Sequence, residues 1–336
     1  MWDASKCDFC GDCLVKCLYV DYDKDRAVAE IKALMEGEEA EILSKCITCC
    51  ACREYCPTGA DPYDLICEMQ ARTGASPITE AVVAVMDKSF EAPSELIPGD
   101  PDKPVLSLCV MEFGTPQGTL DGQLFEGMTV VKGAGYFCYE GYVHAGAARG
   151  GLLEKGVQKF IDKMAGLCKD IVFLHDECYA MAHVIVKEYG VTVPFKYMHI
   201  FEYLRDYLRD NQSGITKLGK KVAYQRPCSS RYTPEKDVLL DEIFELIGVE
   251  RPPRKYDRET ALCCSGHAIR HAFPELSAEI QAKNINDAIE CSADAMVTLC
   301  PMCNRQLRRV TSDHGLNKIF ITDLCRMALG EKPFPQ

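Results

Sequence analysis

Thirteen of the 21 cysteines in this chain fall into three groups spaced as metal ligands are. Two groups repeat one pattern: Cys7-x-x-Cys10-x-x-Cys13-x-x-x-Cys17, then Cys46-x-x-Cys49-x-x-Cys52-x-x-x-Cys56 followed by Pro57. A tight loop that turns every third residue inward brings three thiolates to one cube of iron and sulfide, and the fourth ligand comes from elsewhere in the chain. Structural zinc is the other reading of clustered thiols, but zinc sites rarely use this three-plus-one spacing, and here it occurs twice. The third group is Cys228, 34 residues, Cys263-Cys264, 35 residues, then Cys300-x-x-Cys303. Adjacent side chains diverge, so Cys263 and Cys264 do not easily chelate one ion of zinc type. They suit an object with several metal atoms at different distances.

In two-cluster ferredoxins the fourth cysteine of each run ligates the other cluster, and the two runs here resemble that pattern. The resemblance implies one 4Fe-4S cubane on Cys7, Cys10, Cys13 and Cys56 and a second on Cys46, Cys49, Cys52 and Cys17. Leu18 rather than proline follows Cys17, which removes a rigid turn but no ligand. The third group resembles the cysteine-rich CCG domain of the heterodisulfide reductase family, in which five such cysteines hold a non-cubane 4Fe-4S cluster. That resemblance implies a redox-active, catalytic terminus on Cys228, Cys263, Cys264, Cys300 and Cys303. One departure is the family's glycine after the pair, displaced here to Cys263-Cys264-Ser265-Gly266.

A worn copy of the third group lies upstream. Cys109, Cys138 and Cys178 precede Cys228, Cys264 and Cys303 by 119, 126 and 125 residues, while Phe137 stands where Cys263 is and His175 where Cys300 is. Five thiolates cannot assemble there. The set Cys109, Cys138, His175 and Cys178 has the donors for a cubane or a zinc ion, but Phe137 points to a site that has lost its metal and packs. No cluster is expected in this half. Cys67, Cys168, Cys291 and Cys325 are read as buried structural thiols, and Cys50 as a buried spare out of phase with the ligands. Arg231 and His267, close to the third group, are read as supporting or surface residues ahead of substrate-binding ones.

These ligands need elements to carry them. VLSLCV, DIVFLHDEC and AMVTLCPMC each run from an apolar strand into a candidate ligand, and IFEYLRDYLRD and TDLCRMALG have helical character. Strands followed by helices favour a parallel α/β arrangement with ligands on loops at the carboxyl ends of strands. Between the two N-terminal runs, Ala27 to Lys45 shows helical spacing broken at Gly37. Prolines at 77, 93, 98, 101 and 104 mark a linker around one short helix. The expected organisation is a mainly α, dicluster ferredoxin-like domain over 1–72 and a linker over 73–104. A degenerate CCG domain over 105–212 and an intact one over 213–336 then form a pseudo-twofold α/β pair.

Composition narrows the function. A net charge of −12 across 336 residues, with no basic run, makes nucleic acid a poor partner. The cysteine number is odd, no basic and apolar leader opens the chain, and no run of 18 apolar residues occurs. The expectation is a reducing, oxygen-poor cytoplasm, with no direct membrane span and any membrane association through a partner. A G-x-G-x-x-G fingerprint is absent, so a flavin or nicotinamide would belong to another polypeptide. The family resemblance implies an iron–sulfur subunit of a heterodisulfide-reductase-like oxidoreductase complex. Single electrons would pass through two cubanes to the non-cubane cluster, which reduces or forms a small disulfide. The alternative is a non-catalytic electron-transfer subunit linking a flavin dehydrogenase of glycolate or lactate type to a quinone or cytochrome partner.

Overall fold

A computed structural model of the chain describes residues 1–110, 114–145 and 151–335. The N-terminal part is helical. Asp23 caps the helix Lys24–Glu36 by accepting from the Arg26 amide at 2.8 Å, and Gly37 ends it at φ 81°, a left-handed turn that glycine adopts without strain. A short helix, Ile42–Lys45, follows, and Pro62–Thr73 closes the unit. Leu14, Ile31, Leu34, Ile42, Leu43 and Ile66 bury themselves between these helices. The expected break at Gly37 is where one helix stops and the chain turns to the next.

Two sheets follow. The first holds β1 (Glu95–Ile97), β2 (Val105–Ser107), β3 (Thr129–Lys132), β4 (Ile171–Phe173) and β5 (Tyr197–His199) in the order β1-β3-β2-β4-β5. The second holds β6 (Lys220–Gln225), β7 (Val249–Glu250), β8 (Ala295–Thr298) and β9 (Asn317–Phe320) in the order β7-β6-β8-β9. All pairs are parallel except β1 with β3. The parallel strands of both sheets therefore follow one order, with the chain leaving the first central strand to one side and returning on the other. That reversal opens a crevice at the carboxyl ends of the central strands, β2 and β4 in one sheet and β6 and β8 in the other.

The helix Ile200–Asp210 packs on Asp237–Ile247, and Leu204, Leu208, Leu240 and Phe244 join Val172 and Val297 of the two sheets in one core. The segment expected as a linker contains the helix Glu80–Phe90 and also β1, which extends the first sheet. Its strand is three residues long and flanked by prolines, too short to carry a periodic signal.

Candidate functional site

The two N-terminal runs share one backbone. Phe9 and Thr48, each two residues past the first cysteine, have φ of 57° and 55°; Gly11 and Cys50, each one past the second, have 79° and 64°. These left-handed residues coil the chain so that successive cysteines face one side. Each run then enters a short helix, Asp12–Val15 or Ala51–Tyr55, that carries its third cysteine in the first turn. Cys50 thus occupies the position that Gly11 holds in the first run, a conformation costly to a residue with a side chain.

The structure brings Cys7, Cys10, Cys13 and Cys56 around one cavity. It brings Cys17, Cys46, Cys49 and Cys52 around another, with Cys50 in the same wall. Burial pushes the Cys13 and Cys46 thiols up to about 12, so each is a neutral thiol until a metal displaces its proton. The Thr48 and Ala60 amides donate to Cys46 Sγ and Cys56 Sγ at 3.4 and 3.3 Å, the kind of contact that tunes a thiolate-bound cluster.

A third cavity collects Cys228, Cys263, Cys264, Cys300 and Cys303. Cys228 lies just past β6 and Cys300 two residues past β8, at the carboxyl ends of the two central strands. Hydrogen bonds among the five thiols favour the charged form at Cys263 and Cys300 and oppose it at Cys228, Cys264 and Cys303. Ser265 takes φ 56° immediately after the adjacent pair, while Gly266 has φ −62°. The turn that the family glycine would make freely is therefore made by serine, and in the first half Tyr139 does the same after Cys138, at φ 65°.

The first half walls this cavity. Phe137, His144, His175 and Glu177 line it, together with Met86 and Phe90 from the helix before the sheet. Phe137 lies against Phe90 with ring centroids 4.3 Å apart, so it packs, as its apolar character suggests. The set Cys109, Cys138, His175 and Cys178 nevertheless converges, with all four ligand atoms within 4.8 Å of one another. Phe137 packs at its position, while the other four positions remain fixed by the strand ends.

Two contacts join the second and third cavities. Ile47 lines both, and the Cys263 amide donates to the Tyr19 hydroxyl at 2.9 Å. Arg231 is buried beside them, held by Glu54 Oε2 at 2.7 Å and by the carbonyls of Glu259 and Ala261 at 2.9 and 2.8 Å. Three of its donors are committed to the protein, so it supports the site. Glu54 and Tyr19 were missed in the sequence because neither has ligand spacing. The His267 side chain lies outside the described residues. Among the thiols read as buried, Cys50, Cys67 and Cys325 are buried, but Cys168 is exposed and Cys291 half-buried; Cys168 sits in a turn after a helix that ends at Ala165.

The residues present fit iron–sulfur groups: all 21 cysteines are free thiols, and thirteen of them surround three cavities. Among the described residues no three of these thirteen thiols lie within 4.8 Å of one another. Among those residues, too, no helix is long and apolar enough to cross a membrane.

Comparison with known proteins agrees with this chemistry. Residues 222–308 match the family model of the CCG cysteine-rich domain. One component of the dihydromethanophenazine:CoB–CoM heterodisulfide reductase of Methanosarcina acetivorans is 28% identical over 125 residues, 35% of this chain and 30% of that protein. Its counterpart from Methanosarcina barkeri is 25% identical over 143 residues, 41% of this chain and 35% of its own. The chain thus spans about a third of these curated relatives. One component of the CoM/CoB fumarate reductase of Methanothermobacter marburgensis is 23% identical over 328 residues, covering 87% of this chain and 62% of that protein. A solved structure of a hypothetical protein from Helicobacter pylori shares the fold at TM-score 0.56 and 13% identity, over 92% of this chain and 64% of its own. A cysteine-rich domain of this type, thiols gathered at the ends of its central strands, and relatives that are reductase components make the chain a heterodisulfide-reductase-like iron–sulfur protein.

Proposed function

We propose that the chain is the iron–sulfur subunit of a heterodisulfide-reductase-like complex. Cys7, Cys10, Cys13 and Cys56 would hold one cubane, Cys46, Cys49, Cys52 and Cys17 a second, and Cys228, Cys263, Cys264, Cys300 and Cys303 a non-cubane terminus. When bound, such groups store and pass single electrons. The observation that carries the reading is the succession of three cysteine-lined cavities, the second and third sharing the Ile47 wall and the Tyr19 contact. Ile47 and Tyr19 stand between those two sites, and the Arg231 guanidinium beside Cys49 and Cys228 offsets the negative charge that thiolates bring there.

Reducing a disulfide takes two electrons and two protons and yields two thiols. The third cavity presents Ile47, Met86, Phe90, Ile269 and Met302 to a substrate, with His144, His175 and Glu177 as its polar groups. Among the described residues no lysine or arginine lines it. This chemistry suits an uncharged, largely apolar disulfide better than one bearing several anionic groups. Electrons would come from a flavoprotein or a membrane cytochrome or quinone-reactive subunit.

A second reading, electron transfer without catalysis, draws on the relative that covers most of the chain, a fumarate reductase component, and on the presence of five thiols in one half alone. Iron and acid-labile sulfide of anaerobically prepared protein, with Mössbauer and EPR spectra, test the common premise. Roughly 12 irons per chain, one third of them unlike a cubane, is the expected result. Roughly 8 irons, all cubane, would overturn the terminus. Disulfide turnover by the assembled complex, abolished in Cys264→Ser, then separates reductase from relay.

A further inference from the structure

We infer that Arg305, Arg308, Arg309 and Lys318, beside the third cavity, form a docking surface for an acidic carrier protein that exchanges single electrons with that cavity. The exchange rests on the iron–sulfur reading of the cavity; the docking does not. Charge is the first reason. Between Pro301 and Lys318 these four cations stand against one acid, Asp313, in a chain whose net charge is −12. The three arginines are exposed and Lys318 is half-buried. An acidic partner is repelled by the rest of the molecule and drawn to this patch, which orients it before contact.

The second reason is that the chain does little to neutralise these cations. Ten arginines outside this segment are each ion-paired with a carboxylate. Among the described residues Arg308 is paired with none. Arg309 meets Asp313 at 3.4 Å, but the two side chains are 90% and 58% exposed, so water screens the pair. Lys318 Nζ bonds to the neutral Asn304 Oδ1, and Asp323, which also acts on it, is held by Lys332 at 2.9 Å and Arg326 at 3.4 Å. Burial, then the neighbouring Arg308 charge, pushes the Lys318 amine down to about 8. Cations crowded in this way are relieved by an anionic surface from outside the chain. They do not serve the thiolates beneath them, since the groups acting most on Cys300 and Cys303 are other thiols and His175.

The third reason is place. Cys300 caps the helix Pro301–Gln306, Cys303 lies within it, and Met302 between them lines the third cavity. Arg305 and Gln306 follow Met302 by three and four positions and so share its side of the helix, and Gln306 Nε2 donates to Met302 Sδ at 3.4 Å. The patch therefore begins at the rim of the cavity and continues outward onto the next helix, Arg308–Asp313. A carrier seated there has the Met302 side of one short helix between it and the cavity. One electron passes from the carrier to the cavity's iron–sulfur group, or back, and no bond is formed or broken. Other exposed cations lack this setting: Lys220 and Lys221, at the amino end of β6, face Asp294 at 3.7 Å and Glu250 at 3.5 Å.

The test uses the iron-loaded full chain, kept anaerobic, with an acidic flavodoxin as the probe. Association is followed by interferometry and electron transfer by flavin absorbance in stopped flow. Both are measured at ionic strengths of about 0.1 M and about 1 M, where the Debye length is about 10 Å and about 3 Å. The first shuts out the distant acidic faces and still lets the probe feel the patch; the second screens both. Association should be about tenfold faster at the lower ionic strength. Arg308→Glu with Arg309→Glu should slow it to the high-salt value at unchanged iron content. Lys220→Glu with Lys221→Glu changes the net charge equally, at the amino end of β6, and should slow it far less. Equal slowing by the two pairs, a rate indifferent to salt, or no association would overturn the docking surface. Electron transfer lost while salt-dependent association persists would overturn the iron–sulfur reading of the third cavity and uphold the surface.

Discussion

Replacing Glu54 by glutamine removes one negative charge from between two buried guanidinium groups. Arg226 Nη1 donates to Glu54 Oε1 and Oε2 at 3.0 and 2.8 Å, and Arg231 Nη1 donates to Oε2 at 2.7 Å. The arginine side chains are 1% and 4% exposed, and Glu54 is 15% exposed. Breaking a fully buried ion pair costs about 3–5 kcal/mol, because the surviving charge is left without a partner. Here the loss is smaller. Arg226 keeps the Arg258 carbonyl at 2.9 Å and Asp237 Oδ2 at 3.5 Å, Arg231 keeps two carbonyls, and Glu54 is close to solvent. The expected cost is about 2–3 kcal/mol. Glu54 belongs to the helix that carries Cys52, and Arg231 follows Cys228 by three residues, so the same change loosens the junction of the second and third cavities. Anaerobic urea unfolding of iron-loaded Glu54→Gln should show a lower midpoint at unchanged slope. Stopped-flow reduction should show slower arrival of electrons at the terminus with the iron count intact. A loss below about 1 kcal/mol, or strict additivity of Glu54→Gln with Arg231→Gln, would refute the linkage, since directly bonded groups couple by about 0.5–3 kcal/mol.

Four other outcomes are expected. If the N-terminal runs exchange their fourth ligands, Cys7→Ser with Cys56→Ser removes one group of about four irons, whereas Cys7→Ser with Cys17→Ser removes two, about eight irons; equal losses in iron analysis would rule out the exchange. Ser265→Gly should raise stability by about 1 kcal/mol, because it relieves a left-handed residue and deletes a buried hydroxyl with no protein partner; a lower urea midpoint would contradict this. His199 accepts from the Phe201 amide at Nδ1 and lies 3.1 Å from Asp176 Oδ1 through Nε2, and burial, then the nearby Lys236 charge, pushes it down to about 4. The unfolded chain binds this proton near pH 6.5 and the folded chain does not, so stability is full above about 6.5 and is lost as pH falls toward about 4, by about 3 kcal/mol in all. His199→Gln should flatten that slope in unfolding experiments across the window. Finally, a maleimide should label Cys168 first in the iron-loaded protein, as the one exposed cysteine, and peptide mapping that finds another cysteine ahead of it would contradict the burial pattern.

Much of this site was legible in the sequence because ligand chemistry imposes spacing. Three-residue steps bring thiols to one side of a coiled loop, so the two N-terminal runs could be read before any fold was known. Apolar strands running into Cys109, His175, Cys228 and Cys300 likewise announced a parallel sheet with ligands at its carboxyl ends. Other features depend on residues far apart in the chain. Glu54 meets Arg226 across 172 positions and Tyr19 meets Cys263 across 244, and neither pair has a local pattern to betray it. β1 is too short to be periodic, yet backbone pairing with β3 fixes it. The first half shows the division most clearly. Its sequence records one thiol replaced by phenylalanine and another by histidine, which reads as loss. The strand ends keep their places because the sheet is held by its core, and they bring the remaining donors within reach of a single ion. Sequence determined which atoms are available to bind metal; only the tertiary structure, by fixing their separations, decided which of them meet.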